Sequence, residues 1–386
     1  MIASHAYSGA RIFDGESWHD AAALVVAGAD VAEIVPVTSL PADLPHRKLA
    51  GGMLVPGFVD LQVNGGGGIL LNDDRTLSGI ETICRAHYQF GTTALLPTLI
   101  TDTPAITQEA IDAGIEAAEA GVPGFLGLHL EGPHLSLARK GAHDPALIRP
   151  MDEADLEMLT AARARLPNLL STVAAETVNP QQIARLADAG IVVSIGHSDA
   201  GYETVAAAEA AGASMVTHLF NAQSQLTSRE PGVVGAALAL GGLDAGLIAD
   251  GIHIHPVTLA AALRAKAGPG RIFLVTDAMS VIGTDMESIT LNGRRITRAN
   301  GALRLDDGTL AGADLTMIDA VAFIHETIGL SLEEALRMAS TYPATALGVT
   351  SRHGTLGAGK AADFVHLTDT LAVAGTWIGG EQVWGE

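Results

Sequence analysis

Four short apolar runs of β-favouring residues each close on a side chain that can bind a metal or move a proton. FLGLHLE ends on Glu131, IVVSIGH on His197, SMVTH on His218 and RIFLVTD on Asp277. A merely structural strand has no use for an ionisable group at its end, so these endings set the frame for the rest of the chain. The runs belong to a longer series of candidate strands: Leu54–Val63, Thr93–Leu99, Phe125–Glu131, Ser171–Glu176, Ile191–His197, Ser214–Leu219, Ala245–Asp250 and Ile272–Asp277. Most are followed by Ala-, Glu- and Leu-rich stretches of helical texture, such as PQQIARLADAG and GYETVAAAEAAGA. Strand alternating with helix in this number predicts an α/β fold of the (β/α)8, TIM-barrel type. A doubly wound open sheet would carry a glycine fingerprint ahead of its first helix, and the four glycines at Gly65–Gly68 lack the GxGxxG spacing.

The texture differs at both ends. Residues 1–53 form short β pieces punctuated by Asp14-Gly15 and Gly28-Ala29-Asp30, and similar pieces return near Gly354 in GTLGAGKAADFVHL and TWIGGEQVW. Neither piece is long enough to build a good core alone. The expected organisation is a small β-sandwich domain made from residues 1–53 and 350–386, with a catalytic barrel over residues 54–349. In such a barrel the C-terminal strand ends gather at one face. Glu131, Glu176, His197, His218, Asp250 and Asp277 should therefore converge there.

Composition narrows the function. Hydrophobic residues make up 48% and charged ones 17%, which suits strands buried on both faces beneath apolar helices. A formal net charge of −21 argues against a nucleic-acid or anionic-membrane partner. It leaves room for an anionic small molecule held by a local Arg/His cluster, because distant charges are screened. The single cysteine, Cys84, excludes an internal disulfide and a thiolate-rich metal site, and its helix-like setting makes it a core residue. No signal-type apolar core occurs in residues 1–15, and Asp244 interrupts the apolar run from Val233 to Ile248. A cytoplasmic protein without a membrane span is expected.

Two imidazoles and one carboxylate form a ligand set for a borderline divalent ion such as zinc, with a fourth position left for water. Glu131, His197 and His218 supply that set, and Asp277 would serve as the general base beside it. Singly, each has an ordinary explanation: Glu131 could pair with Arg139 or Lys140, and Asp277 could cap a helix starting at Ala278. Four such endings on one barrel favour the metal site. His253 and His255 in DGIHIHP could also bind a metal from one side of an extended segment, but their place after Asp250 suits substrate contact or plain loop polarity better.

The stretches PGFVDLQVNGGGG, HLEGPHLSLARKGAH, GHSDA, THLFNAQSQLTSREPGVVG, ADGIHIHP, LVTDAM and LAGADLTM, in this order, resemble the N-acetylglucosamine-6-phosphate deacetylases of the amidohydrolase superfamily. YPATALGV and GTLGAGKAADFV extend the likeness over nearly the whole chain. The resemblance implies a (β/α)8 barrel and hydrolysis of the acetamide of N-acetyl-D-glucosamine 6-phosphate. It implies Glu131, His197 and His218 as metal ligands and Asp277 as acid/base. His143 would polarise the acetamide carbonyl, with Ala142 beside it. Asn221, Ala222, Arg229, Asp250 and His253 would contact phosphate or sugar, and the backbone of Leu310, Ala311 and Gly312 would close over the substrate. It further implies a homodimer in which part of the phosphate pocket crosses the interface. One departure bears on the metal: the HxH pair of two-metal relatives is replaced by Gln62 and Asn64. Neutral amides are poor partners for zinc beside imidazole and carboxylate, so one divalent ion per subunit is expected. N-acetylgalactosamine 6-phosphate is the alternative substrate, and a non-catalytic sugar-phosphate binder the alternative of another class.

Overall fold

The computed structural model describes residues 4–385, which divide into two compact units. Among the described residues, one unit comprises 61–86 and 95–316, the other 4–60, 87–94 and 317–385. An eight-stranded sheet forms the frame of the first. Its strands are β1 (Phe58–Val63), β2 (Thr92–Ile100), β3 (Leu128–Glu131), β4 (Leu169–Val173), β5 (Val192–Ile195), β6 (Met215–Val216), β7 (Asp244–Leu247) and β8 (Ile272–Leu274). They are hydrogen-bonded in strictly sequential order, and every pairing from β2 to β8 is parallel. A parallel bridge from Val63 to Ala278, with the Asp277 N–H donating to the Gln62 carbonyl at 3.0 Å, brings the last strand back to the first. This is the expected (β/α)8 barrel.

Local chemistry explains the alternation. β2, β3 and β4 are buried along their whole length, as strands covered on both faces must be. The helices between strands start where the sequence supplies caps. Asn179 accepts from Gln182 N and the Gln182 side chain returns the bond, closing a capping box ahead of Pro180–Asp188. Asp152 and Asp155 do the same for Glu153–Arg163.

Two expectations about strand limits need correction. Leu54–Val63 is not one strand: Met53–Pro56 pairs in a different sheet, and the barrel strand begins at Phe58 after Gly57. The strands also stop short of the chemical residues, at Ile195, Val216 and Leu274. His197, His218 and Asp277 lie beyond them in the left-handed region, with φ of 47°, 27° and 53°, which an extended ladder cannot contain.

Beyond β8 the barrel unit carries a four-stranded antiparallel sheet, Ser288–Leu291, Arg294–Ala299, Ala302–Leu305 and Leu310–Ala313. Ile289, Leu291, Ile296, Leu303 and Leu305 of this sheet share a buried cluster with Ile100 and Met279.

The other unit contains a four-stranded and a six-stranded sheet. The six-stranded sheet joins Arg11–Phe13 and Met53–Pro56 from the beginning of the chain to Phe364–Leu367 and Val373–Ile378 from its end. A common core of Tyr7, Ile12, Leu24, Val26, Leu54, Phe364 and Trp377 lies between the sheets, so both termini do build one β-sandwich.

Candidate metal and acyl-transfer site

Glu131 is the last residue of β3, and His197 and His218 follow β5 and β6 by two residues each. Despite separations of 66 and 87 residues, Glu131 Oε1 lies 3.1 Å from His197 Nε2 and 3.0 Å from His218 Nε2. The two Nε2 atoms are 3.1 Å apart. All three side chains are buried. Three ligands about 2.1 Å from one tetrahedral ion would be about 3.4 Å apart, so the triangle has the dimensions of a metal site. Strained left-handed backbone at both histidines fits a functional purpose, since such conformations persist only where the surroundings impose them. Gly196 makes the approach possible: a Cβ there would come within 2.7 Å of Thr172 and 2.8 Å of Thr217.

His197 Nδ1 is 2.8 Å from the Arg139 carbonyl, which can only accept, so Nδ1 carries a proton. In neutral imidazole Nε2 then presents a lone pair, and it faces both a carboxylate oxygen and a second imidazole nitrogen. A divalent cation among the three relieves that repulsion, and the donor set suits one. Without a cation the three atoms can meet only with protons on the ring nitrogens; burial opposes ionisation of Glu131, yet hydrogen bonds and charge from His197 and His218 in that arrangement hold the carboxyl well below the ordinary range.

His143 offers a second grouping, because ligand atoms of Glu131, His143 and His197 all lie within 4.8 Å of one another. The tighter triangle with His218 is the better cage. The Thr101 N–H donates to His143 Nδ1 at 3.4 Å, with Thr101 Oγ1 at 2.7 Å from the same atom. That leaves the proton on Nε2, which sits 4.0 Å from Glu131 Oε2 and acts as a donor rather than a ligand. Burial, with the neighbouring His197 adding to it, lowers the pKa of His143 to about 3, so the ring is a neutral donor near pH 7.

Asp277 is held by the amides that replace the HxH pair. Asn64 Nδ2 donates to Asp277 Oδ1 at 2.7 Å, and Gln62 Nε2 donates to the same oxygen at 3.1 Å and to Glu131 Oε1 at 3.3 Å. Burial and the nearby Glu131 charge raise the pKa of Asp277 to about 6, the range of a general base.

A cavity of about 330 Å3 opens over these groups, a size at the small end for small-molecule sites. Ala142, His143, Asn221, Ala222, His253, Leu310, Ala311 and Gly312 line it, as do all four strand-end residues. Asp250 does not line it directly. Its carboxylate lies 2.5 Å from His253 Nδ1 and accepts the Ile252 and His253 N–H groups, so it orients the histidine that does. Arg229 is exposed and is not among the lining residues. Glu176, expected at the same face, is engaged with Ser198 Oγ and Asp199 N instead. Thr101, Met279 and Leu291 escaped sequence reasoning, because a hydroxyl behind a histidine and two apolar wall residues leave no motif. Gly312 has φ +64°, and a Cβ there would meet Met279 at 2.5 Å, so this wall requires glycine.

A (β/α)8 barrel with a carboxylate and imidazoles gathered at its mouth, in a geometry that could hold a metal, is the arrangement of the amidohydrolase class of hydrolases. The amidohydrolase family model matches residues 53–383, and the chain belongs to that family. It is 46% identical over 343 residues to the N-acetylgalactosamine-6-phosphate deacetylase of Shewanella sp. (strain ANA-3), covering 89% of this chain and 86% of the relative. It is 34% identical over 362 residues to the N-acetylglucosamine-6-phosphate deacetylase of Haemophilus influenzae, covering 93% and 94%. Among solved structures, the N-acetylglucosamine-6-phosphate deacetylase of Pasteurella multocida superposes with a TM-score of 0.95 at 34% identity, covering 98% of this chain and 99% of that one.

Proposed function

We propose that this enzyme hydrolyses the acetamide of N-acetyl-D-glucosamine 6-phosphate, giving D-glucosamine 6-phosphate and acetate. The observation that carries this reading is the triangle of Glu131, His197 and His218 with Asp277 fixed beside it. The deacetylase relatives support the substrate class. The three ligands would hold one divalent ion per subunit, and two imidazoles with one carboxylate favour zinc. When bound, such a cation acidifies a water and polarises an acyl oxygen.

The chain's own groups supply the rest. Asp277 accepts the proton of the attacking water while Gln62 and Asn64 hold Oδ1 in place. The His143 Nε2–H donates to the oxygen on which negative charge develops, where preorganised donors act most strongly. Asp277 then returns its proton to the leaving amine. Asn221, Ala222 and His253 contact the sugar phosphate, and the segment Leu310–Gly312 covers the sugar. Arg229, exposed and outside this chain's cavity, suits phosphate recognition by a neighbouring copy in a homodimer. A lone buried cysteine is in keeping with the cytoplasm.

The Shewanella relative favours a second reading, in which N-acetylgalactosamine 6-phosphate is the better substrate. Acetate release should be measured with both phosphosugars and with N-acetylglucosamine. Turnover of the gluco phosphosugar at a higher kcat/KM than the galacto one is expected. The reverse preference establishes the second reading, and no acetate from either in the zinc-loaded protein overturns both.

A further inference from the structure

Parallel barrels are usually filled by branched apolar side chains. Beneath the ligand triangle the filling is polar. Thr98, His129, Thr172, Ser194 and Thr217 are all buried and linked. His129 Nε2 is 2.7 Å from Thr172 Oγ1, which is 2.6 Å from Thr217 Oγ1, and Ser194 Oγ lies 2.6 Å from that same Thr217 oxygen. On its other edge His129 Nδ1 is 3.4 Å from Thr98 Oγ1. The belt tracks the ligands: His129 stands two residues before Glu131 on β3, Ser194 three before His197, and Thr217 directly before His218.

Two observations connect it to the metal site. In the proposed site His218 would face the ion through Nε2, which in neutral imidazole leaves its proton on Nδ1. That atom is buried and has no hydrogen-bond partner among the described residues. His218 also lines a second, small cavity of about 10 Å3, whose wall is mostly apolar, Met215 and Phe273 included, and whose polar groups are Thr217, His129, Gln62 and His218 itself. About 10–15 Å3 is the room one water needs, and two to four polar partners are what keep a water there, a number the polar groups of this cavity can supply. Ligating histidines almost always donate their other N–H to an acceptor that fixes the ring.

We propose that one water in this cavity accepts the Nδ1–H of His218 and joins it to the polar belt, which makes His129 a positioning residue for the metal site. The inference rests on the metal reading above. His129 touches neither the ion nor the substrate. It holds Thr172 and Thr217 in register and is one of the few polar groups facing the water, so that the His218 ring keeps the rotation its ligand geometry requires.

The test is Zn2+ affinity of the metal-free protein, measured by competition with a chromophoric chelator, with Co2+ absorption reporting ligand geometry. Thr172→Val replaces the Nε2 partner of His129 with a methyl group of the same shape, and His129→Leu removes the belt's centre. Both should weaken Zn2+ binding about 10- to 100-fold, the range for lost supporting contacts, and alter the Co2+ spectrum. His129→Gln, which keeps a donor and an acceptor, should restore most of the affinity. Wild-type affinity and spectrum in folded Thr172→Val overturn the proposal, whatever becomes of the leucine variant. A high-resolution crystal structure with no ordered water within hydrogen-bond distance of His218 Nδ1 also overturns it. Failure of the wild type to bind Zn2+ is a different result: it removes the functional reading and this inference with it.

Discussion

In the sandwich of the two termini, Phe364 and Trp377 stack with ring centroids 4.8 Å apart, and Tyr7 meets both edge-on at 5.0 and 5.4 Å. At the barrel mouth the residues buried to a similar degree are Glu131, His143, His197, His218 and Asp277. The first arrangement removes large apolar surfaces from water and asks nothing else of them. The second sets two carboxylates and three imidazoles side by side with little of their surface left to water, and three of the five are on left-handed backbone. Such a cluster opposes folding unless a cation and donor amides offset it. The contrast separates what holds the chain together from what it does, and each side of it can be broken alone.

Removing a ligand should have the largest effect. Glu131→Gln is expected to abolish stoichiometric Zn2+ binding and turnover while leaving the far-ultraviolet circular dichroism unchanged; tight residual binding would place the ion elsewhere. Asp277→Asn should retain the metal and lose at least ~10²-fold in kcat, the lower range for a positioned acid/base. Near-normal turnover in that variant would remove Asp277 from the chemistry. Trp377→Ala addresses the other side of the comparison. It should cost about 3–5 kcal/mol of stability in denaturant unfolding, with kcat and metal affinity of the folded fraction unchanged.

Smaller effects follow from titration. Asp277 must be ionised to accept a proton, so kcat should fall as pH drops through its pKa. That value is raised to about 6 by burial and the Glu131 charge, and a bound cation would pull the midpoint lower. His143, held down to about 3, should add no limb above that range. A kcat profile flat down to pH 4 would contradict the assignment. The smallest effect concerns Cys84, whose thiol is fully buried and pushed up to about 12. It should not react with an aromatic disulfide reagent until the protein unfolds.

Much of this was legible in the sequence because strand-end chemistry is local. Glu131, His197, His218 and Asp277 announce themselves by closing apolar runs, and a barrel brings such endings together whatever their separation in the chain. The amides Gln62 and Asn64 were visible as the loss of a metal-binding pair. Their positive role, holding Asp277 Oδ1, needed coordinates. The antiparallel sheet over 288–313 was not legible, since its strands are only four to six residues long and the first three carry exposed Thr or Arg (Thr290, Arg295, Thr297, Arg304), so that they look like loop. Strand limits were overextended at Ser171–Glu176 and at the ligand-bearing runs, because composition cannot show where backbone leaves the extended region. The polar belt was missed for a related reason: single Thr and Ser residues inside apolar strands look like ordinary tolerance, and only their mutual distances of 2.6 Å reveal a network.

Metal stoichiometry tests the central claim most directly. Titrating metal-free protein with Zn2+ and measuring bound metal per chain, in the wild type and in Glu131→Gln, should give one equivalent in the first and none in the second. Two tightly bound equivalents in the wild type, or one that survives the loss of the Glu131 carboxylate, would contradict a single ion seated among Glu131, His197 and His218.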